Sequence, residues 1–289
     1  MNQGKSSPLD RIPVFFCKAM VADAESFSPS AAKPEAALQS WQQLGVALTI
    51  IEPTPATRDD FVRAHDSDFV DGVLARRVRN GFGNKSAAVA ASLPYTTGAM
   101  LSAARKAIRN RCVAAAPCSG FHHAAYSQPA GFCTFNGLMV AAMALHASGE
   151  AARVGILDFD HHYGDGTDHI IARHGIDWIT HYTAGRFHSL PADAPAFLSE
   201  IAGHVEAMRD CDVILYQAGA DPHVDDPLGG WLTTEQLCER DRRVFRAAHA
   251  LGVPIVWNLA GGYQTPLRKV LAVHDNTMRA CADEYLGSR

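Results

Sequence analysis

Runs of apolar, often β-branched residues recur along the chain at 14–16, 46–51, 112–116, 154–159, 178–180, 213–217 and 254–259. Between them lie stretches with helical apolar spacing, at 34–44, 69–78, 97–108, 138–147, 196–208, 234–250 and 266–285. Strands that are apolar throughout must be covered on both faces. Their alternation with helices therefore predicts an α/β fold, a parallel sheet between two helical layers. Thr233 or Thr234, followed by Glu235 and Gln236, reads as a helix start. No internal repeat or low-complexity linker interrupts the pattern. A single domain over 1–289 is expected, with residues 1–12 loose and Asn80–Ser92 a loop.

Polar clusters follow several of these strands, where open α/β sheets build their active sites. After the 154–157 run comes Asp158-Phe159-Asp160-His161-His162-Tyr163-Gly164-Asp165. Asp160 and His162 are two apart, so an extended backbone turns both to one face. A carboxylate oxygen and an imidazole nitrogen on one face suit Zn²⁺ or Fe²⁺. Asp221, after the 213–217 strand, stands where a third ligand would converge. Asp225 and Asp226 beside it read as turn and cap residues. After the 112–116 strand come His122 and His123, and a histidine pair facing an aspartate series invites two His–Asp dyads. Gly261-Gly262 ends the last strand in a tight turn that presents Tyr263 to the same rim. Phe132 could line an apolar channel, Asn136 caps a helix, and Cys118 and Cys133 read as packing.

Composition narrows the class. With 47% apolar and 19% charged residues, the chain is ordinary globular material. A net charge of −4 argues against nucleic-acid or anionic-membrane partners. No apolar run approaches the length of a membrane span, and Met1–Pro8 has no signal-peptide core. Seven scattered cysteines without a CxxC predict reduced thiols in a cytoplasmic protein.

The segments GFHHA, GFCTFNG, LDFDHHYGDGT, AGADPHVDDPLG and AGGY, in this order from residue 117 to 263, resemble the metal-dependent histone deacetylase family. That family includes bacterial deacetylase-like amidohydrolases and acetylpolyamine amidohydrolases. The resemblance implies the arginase–deacetylase fold, with about eight parallel strands. It also implies Zn²⁺ held by Asp160, His162 and Asp221, with Fe²⁺ as the alternative. His122 and His123 match the tandem active-site histidines, Asp158 and Asp165 their respective partners, and Tyr263 the donor to the substrate carbonyl. Phe132, Leu228, Gly131 and Gly261 fall at substrate-facing positions. A structural K⁺ or Na⁺ would be framed in part by Asp158, Asp160 and His162, with Thr180 as a further ligand.

Four departures from the family pattern stand out, and the last two bear on substrate. His161 stands where a small or apolar residue is usual, and Tyr163 where a second histidine is common. No Asp or Glu lies between Gly72 and Gly149, so the family's rim aspartate is missing. Leu228 replaces the glutamate of polyamine-selective members. The expected reaction is removal of an acyl group from acyl-lysine or a small acylated amine, with acetylpolyamines as runner-up. A silent binding module would lose ligands or the tyrosine, and an arginase-type dimanganese site would not use HH and GGY. The sequence does not fix the oligomeric state, and a homo-oligomer is compatible with it.

Overall fold

The computed structural model describes residues 9–287. Its strands are β1 (Ile12–Phe15), β2 (Leu48–Ile51), β3 (Val113–Ala116), β4 (Val154–Asp158), β5 (Ile179–Thr183), β6 (Val213–Gln217) and β7 (Ile255–Asn258). All pair in parallel, in the order β2-β1-β3-β7-β6-β4-β5. Each predicted run contains or overlaps one strand. The described residues thus form seven strands, against the eight or so implied by the family resemblance.

Side chains alternate across the sheet and feed two cores. Leu157, Ile214, Tyr216, Ile255 and Trp257 face helices α1 (Lys33–Gln43), α7 (Ala194–Glu206), α8 (Thr234–Leu251) and α9 (Arg268–Tyr285). Val154, Ile156, Val213, Leu215 and Val256 face α2 (Arg58–Ala64), α3 (Ser67–Leu74), α4 (Ala87–Asn110), α5 (Gly137–Ala147) and α6 (Asp165–His174).

Helix starts follow local chemistry. The expected start at Thr233 is a capping box with Gln236, and Asn136 caps α5 by accepting from the Met139 amide at 3.1 Å. Two helices were not predicted. At seven residues, α2 is too short to show periodicity, although Thr57 and Asp60 form its capping box. α6 begins among the glycines of the polar cluster, which read as turn. The loop expected at Asn80–Ser92 is shorter: Asn80 organises a turn to Asn84, and α4 starts at Ala87 and runs through Pro94. The Leu9 amide reaches the Tyr285 carbonyl at 2.9 Å and β1 starts at Ile12, so 9–12 depart from the looseness expected of 1–12. Residues 1–8 lie outside the described residues. No described helix is long and apolar enough to cross a membrane.

Gly98 shows how closely α4 docks. A Cβ there would meet the Thr54 carbonyl oxygen at 2.2 Å and the Ala56 nitrogen at 2.7 Å. Alanine is intrinsically better than glycine within a helix by about 1 kcal/mol, but overpacking costs roughly 1–3 kcal/mol. Both opposing atoms are backbone and cannot rotate away. Gly98→Ala is therefore expected to lower the urea unfolding midpoint, and a raised midpoint would show that this contact is loose.

Candidate active site

The last rung of the sheet is polar. Asp158 pairs in register with Gln217 and Thr183, and Gln217 with Asn258. All four are buried, and each has a task. The Gln217 amide donates to Asp158 Oδ1 at 2.9 Å and accepts from the Phe121 amide at 3.0 Å. Asn258 donates to the Ser119 carbonyl, and Thr183 Oγ1 accepts from the Gly164 amide. The loop carrying His122 and His123 and the turn after Asp160 are thus fastened to the strands beneath them.

Above this rung the predicted residues converge. Ligand atoms of Asp160, His162 and Asp221 lie within 4.8 Å of one another. His162 Nδ1 is 3.2 Å from Asp160 Oδ1 and 3.1 Å from Asp221 Oδ2. The two expected dyads are present: His122 Nδ1 lies 2.6 Å from Asp158 Oδ2, and His123 Nδ1 lies 2.8 Å from Asp165 Oδ1. A cleft of about 270 Å³ is lined by His122, His123, Asp160, His162, Phe132 and Tyr263, among others. The Phe132 and Tyr263 rings on its lining pack against one another, with centroids 5.6 Å apart.

Close approach explains the glycines. A Cβ on Gly131 would lie 2.3 Å from His123 Cδ2, and one on Gly261 would lie 2.3 Å from Asp221 Oδ2. Gly261 also donates its amide to Asp160 Oδ2 at 3.0 Å. Ala260, just before it, has φ 52°, a left-handed conformation that costs a non-glycine residue roughly 1–2 kcal/mol.

Buried charge sets the electrostatics. Burial and the facing Asp160 push Asp221 up to about 7. Burial would raise Asp160 as well, but His122 and His162 hold it well below the carboxylate range. Hydrogen bonds to Asp160 and Asp221 push His162 up to about 10. Two buried acids that share one imidazole for positive charge are the donor set a divalent cation fits, with one nitrogen and two oxygens. The two active-site imidazoles differ. Burial lowers His122, but Asp158 and Asp160 outweigh it and bring it to about 9. Burial and the neighbouring His122 push His123 down. Burial, Asp221 and Asp160 push Tyr263 upward, so it keeps its proton. Burial likewise raises the Cys118 and Cys133 thiols, in keeping with packing roles.

Other predicted positions fall elsewhere. Leu228 is 37% exposed and does not line the cleft. Thr180 pairs with Gly155, three residues before Asp158 and so roughly 10 Å down the strand. It cannot share a cation with Asp158, which stands opposite Thr183. Asp226 does more than turn the chain: Oδ1 accepts from the Leu228 amide, and Oδ2 accepts from the Tyr263 amide at 2.8 Å.

Four buried polar residues were missed because their motifs lie far from the site in sequence. Lys33 Nζ donates to the carbonyls of Ala260 at 2.5 Å and Gly261 at 3.2 Å. Arg240 Nη1 donates to Phe159 O at 3.0 Å and Gly219 O at 2.7 Å, holding both carboxylate-bearing segments from below. His65 lies 3.0 Å from Ala125 O through Nδ1 and accepts from the Asn136 amide through Nε2 at 2.9 Å, bracing the end of the histidine loop. Ser30 lines the cleft from the segment before α1. Only the Lys33 and Arg240 charges, unusual for apolar helix faces, could have marked these positions.

A histone deacetylase domain model matches residues 29–181 and 193–278. The chain belongs to the histone deacetylase family. Relatives of this deacetylase-type hydrolase include an uncharacterized protein of Picosynechococcus, 28% identical over 76% of this chain and 81% of its own length. The acetoin utilization protein AcuC of Bacillus subtilis is 26% identical over 70% of this chain and 62% of its own length. A probable deacetylase of Methanothermobacter thermautotrophicus is 27% identical over 52% and 46%. The chain thus spans less than two thirds of the last two. The HDA15 HD domain crystal structure superposes with a TM-score of 0.77 at 20% identity, covering 93% of this chain and 90% of that one, a likeness of fold.

His65 gives the histone deacetylase fold a pH signature. Burial holds it down to about 4, against an ordinary value of 6.5. Above pH 6.5 both folded and unfolded forms are neutral, and its contribution is fully present. Between pH 6.5 and 4 only the unfolded chain takes the proton, so stability falls by about 1.4 kcal/mol per pH unit. Below about 4 the loss levels off. In His65→Gln, urea unfolding across this window is expected to show a slope shallower by that amount. An unchanged slope would mean that His65 titrates normally.

Proposed function

We propose that the chain is a metal-dependent amidohydrolase that removes an acyl group, typically acetyl, from acyl-lysine or a small acylated amine. The observation that carries this reading is the convergence of Asp160, His162 and Asp221 at a cleft lined by two imidazoles of unlike basicity. These three residues would hold Zn²⁺, or Fe²⁺ with the same donors. A metal bound there supplies Lewis acidity towards water and the amide carbonyl. A structural K⁺ or Na⁺ near Asp158, Asp160 and His162 belongs to the same proposal.

The side chains divide the proton work. His123 is the general base: its Nδ1 faces Asp165, and Nε2 is left to take the proton of the attacking water. His123 then returns that proton to the departing amine nitrogen. His122 stays an imidazolium beside Asp158 and adds positive charge as negative charge grows on the carbonyl oxygen. Tyr263 donates its hydroxyl proton in a hydrogen bond to that oxygen. Phe132 forms an apolar wall for the alkyl chain. Gly131 and Gly261 contribute space, since the Gly261 amide is already committed to Asp160.

Acetylpolyamine hydrolysis is the second reading, and one observation favours it. Although 73–148 carries no carboxylate, Asp23 and Glu25 lie on the loop that carries Phe27, whose ring packs on Phe132. They offer a source of charge for a distal ammonium.

Protein loaded with Zn²⁺ should hydrolyse acetyl-lysine peptide, free acetyl-lysine or acetylspermidine. No turnover of any of them, with full metal content, would reject the reading. Asp221→Ala should lose the metal by elemental analysis. Tyr263→Phe should keep it while kcat falls about 10²–10³-fold, the cost of one oxyanion donor. Near-normal kcat would make the tyrosine structural.

Charge at the mouth is tested separately. If Asp23 and Glu25 recruit polyamines, kcat/KM for acetylspermidine should exceed that for acetyl-lysine at low salt and converge with it as salt screens the field. A preference for acetyl-lysine at every ionic strength would reject acetylpolyamines.

A further inference from the structure

One apolar side chain at the mouth of the cleft takes no part in this chemistry. Phe27 is 75% exposed, the highest value among the large apolar residues described. Its ring is nevertheless placed: it meets Phe132 edge to face, with centroids 5.4 Å apart and planes at 89°. Phe82 also packs on Phe132, at 5.8 Å, and Phe132 leads on to Tyr263 inside the cleft.

The backbone around Phe27 is tied down. Glu25 takes φ 50°, and Asp23 Oδ1 accepts the Glu25 amide at 2.9 Å. Asn84 Nδ2 donates to Ala24 O at 2.7 Å, and Ser86 Oγ donates to Asp23 O at 3.3 Å. On the far side, Ser28 Oγ donates to Ser30 Oγ at 3.0 Å. A fastened loop thus holds out a phenyl ring whose outward surface has no cover among the described residues.

We propose that Phe27 and Phe82, flanking Phe132, form an aromatic platform that receives an apolar or aromatic group on the amine side of the substrate. The proposal rests on the acyl-amine reading of the cleft. With the short acyl group and the scissile amide among the carboxylates and imidazoles of the cleft, the larger amine portion would leave along Phe132, the lining ring on which Phe27 packs. The outward surface of Phe27 can take a further aromatic group in the offset or edge-to-face contact that rings prefer.

The test compares acetyl-lysine amide carrying a small Nα-acetyl group, the uncapped compound, with the same amide carrying an Nα-benzoyl cap in its place, so that neither is charged at that nitrogen. The readouts are kcat/KM and calorimetric Kd for wild type, Phe27→Ala and Phe27→Tyr. In the metal-loaded wild type the capped compound should be favoured. Phe27→Ala should reduce that preference roughly threefold to tenfold, the worth of one aromatic pair, mainly through KM. Phe27→Tyr should restore it. A capped-to-uncapped ratio equal in wild type and Phe27→Ala would overturn the platform while turnover upholds the hydrolase. A binding preference lost in Phe27→Ala, with no turnover of either compound, would uphold the platform and reject the hydrolase. A change in oligomer mass in Phe27→Ala with the ratio unmoved would assign the ring to contact between copies and overturn the proposal.

Discussion

Three carboxylates, Asp158, Asp160 and Asp221, are buried where β4 and β6 end. Removing such groups from water is costly unless each oxygen finds a donor or a cation. Much of the local architecture answers that demand. Asp158 is satisfied by His122, Gln217 and the Asp160 amide. Asp160 receives the amides of His162 and Gly261, and Asp221 receives the amide of His161. The glycines at 219 and 261 exist at contact distance because any Cβ would collide with these acids. Lys33 and Arg240 lie buried behind the loops and give their protons to main-chain carbonyls. They offset negative charge at a distance while leaving the carboxylate oxygens that face the cleft free for a metal.

The same arrangement separates the tasks of two adjacent histidines. Both carry a carboxylate on Nδ1, yet their surroundings differ. The His122 partner is fully buried and a second acid is near, so the imidazole is held charged. The Asp165 carboxylate is largely in water and screened, so it cannot do the same for His123. Unlike basicity in like dyads comes from the depth of the partner acid and from the neighbouring charges, and depth is set by which strand or helix end supplies the acid. Asp158 closes β4, whereas Asp165 opens α6 at the surface.

Much of this was legible in the chain. Buried parallel strands are apolar throughout, so seven runs marked seven strands, and the polar residues at their ends marked the site. Asp160, His162, Asp221 and both histidine dyads are close because short motifs sit at neighbouring strand ends. What stayed hidden was long-range. Lys33, His65 and Arg240 act on main-chain atoms of distant loops, and no local pattern reports a contact 227 residues away. Thr180 failed as a guess because register decides which residue stands beside Asp158.

The strand order also constrains how the protein is made. β3 and β4 follow one another in the chain, yet β7 and β6 lie between them in the sheet. During synthesis, β2-β1-β3 and β4-β5 can form only as two separate ribbons. Each keeps its inner edge, β3 or β4, unpaired until the segments at 213–217 and 255–258 leave the ribosome. Open edges of apolar parallel strands invite pairing with other nascent chains. β6 can join β4 as it emerges, placing Asp221 near Asp160 and His162, and β7 then closes the gap and brings Tyr263 to the histidines. A chain stopped before residue 255 would carry nearly every residue of the cleft and still lack the strand that joins them.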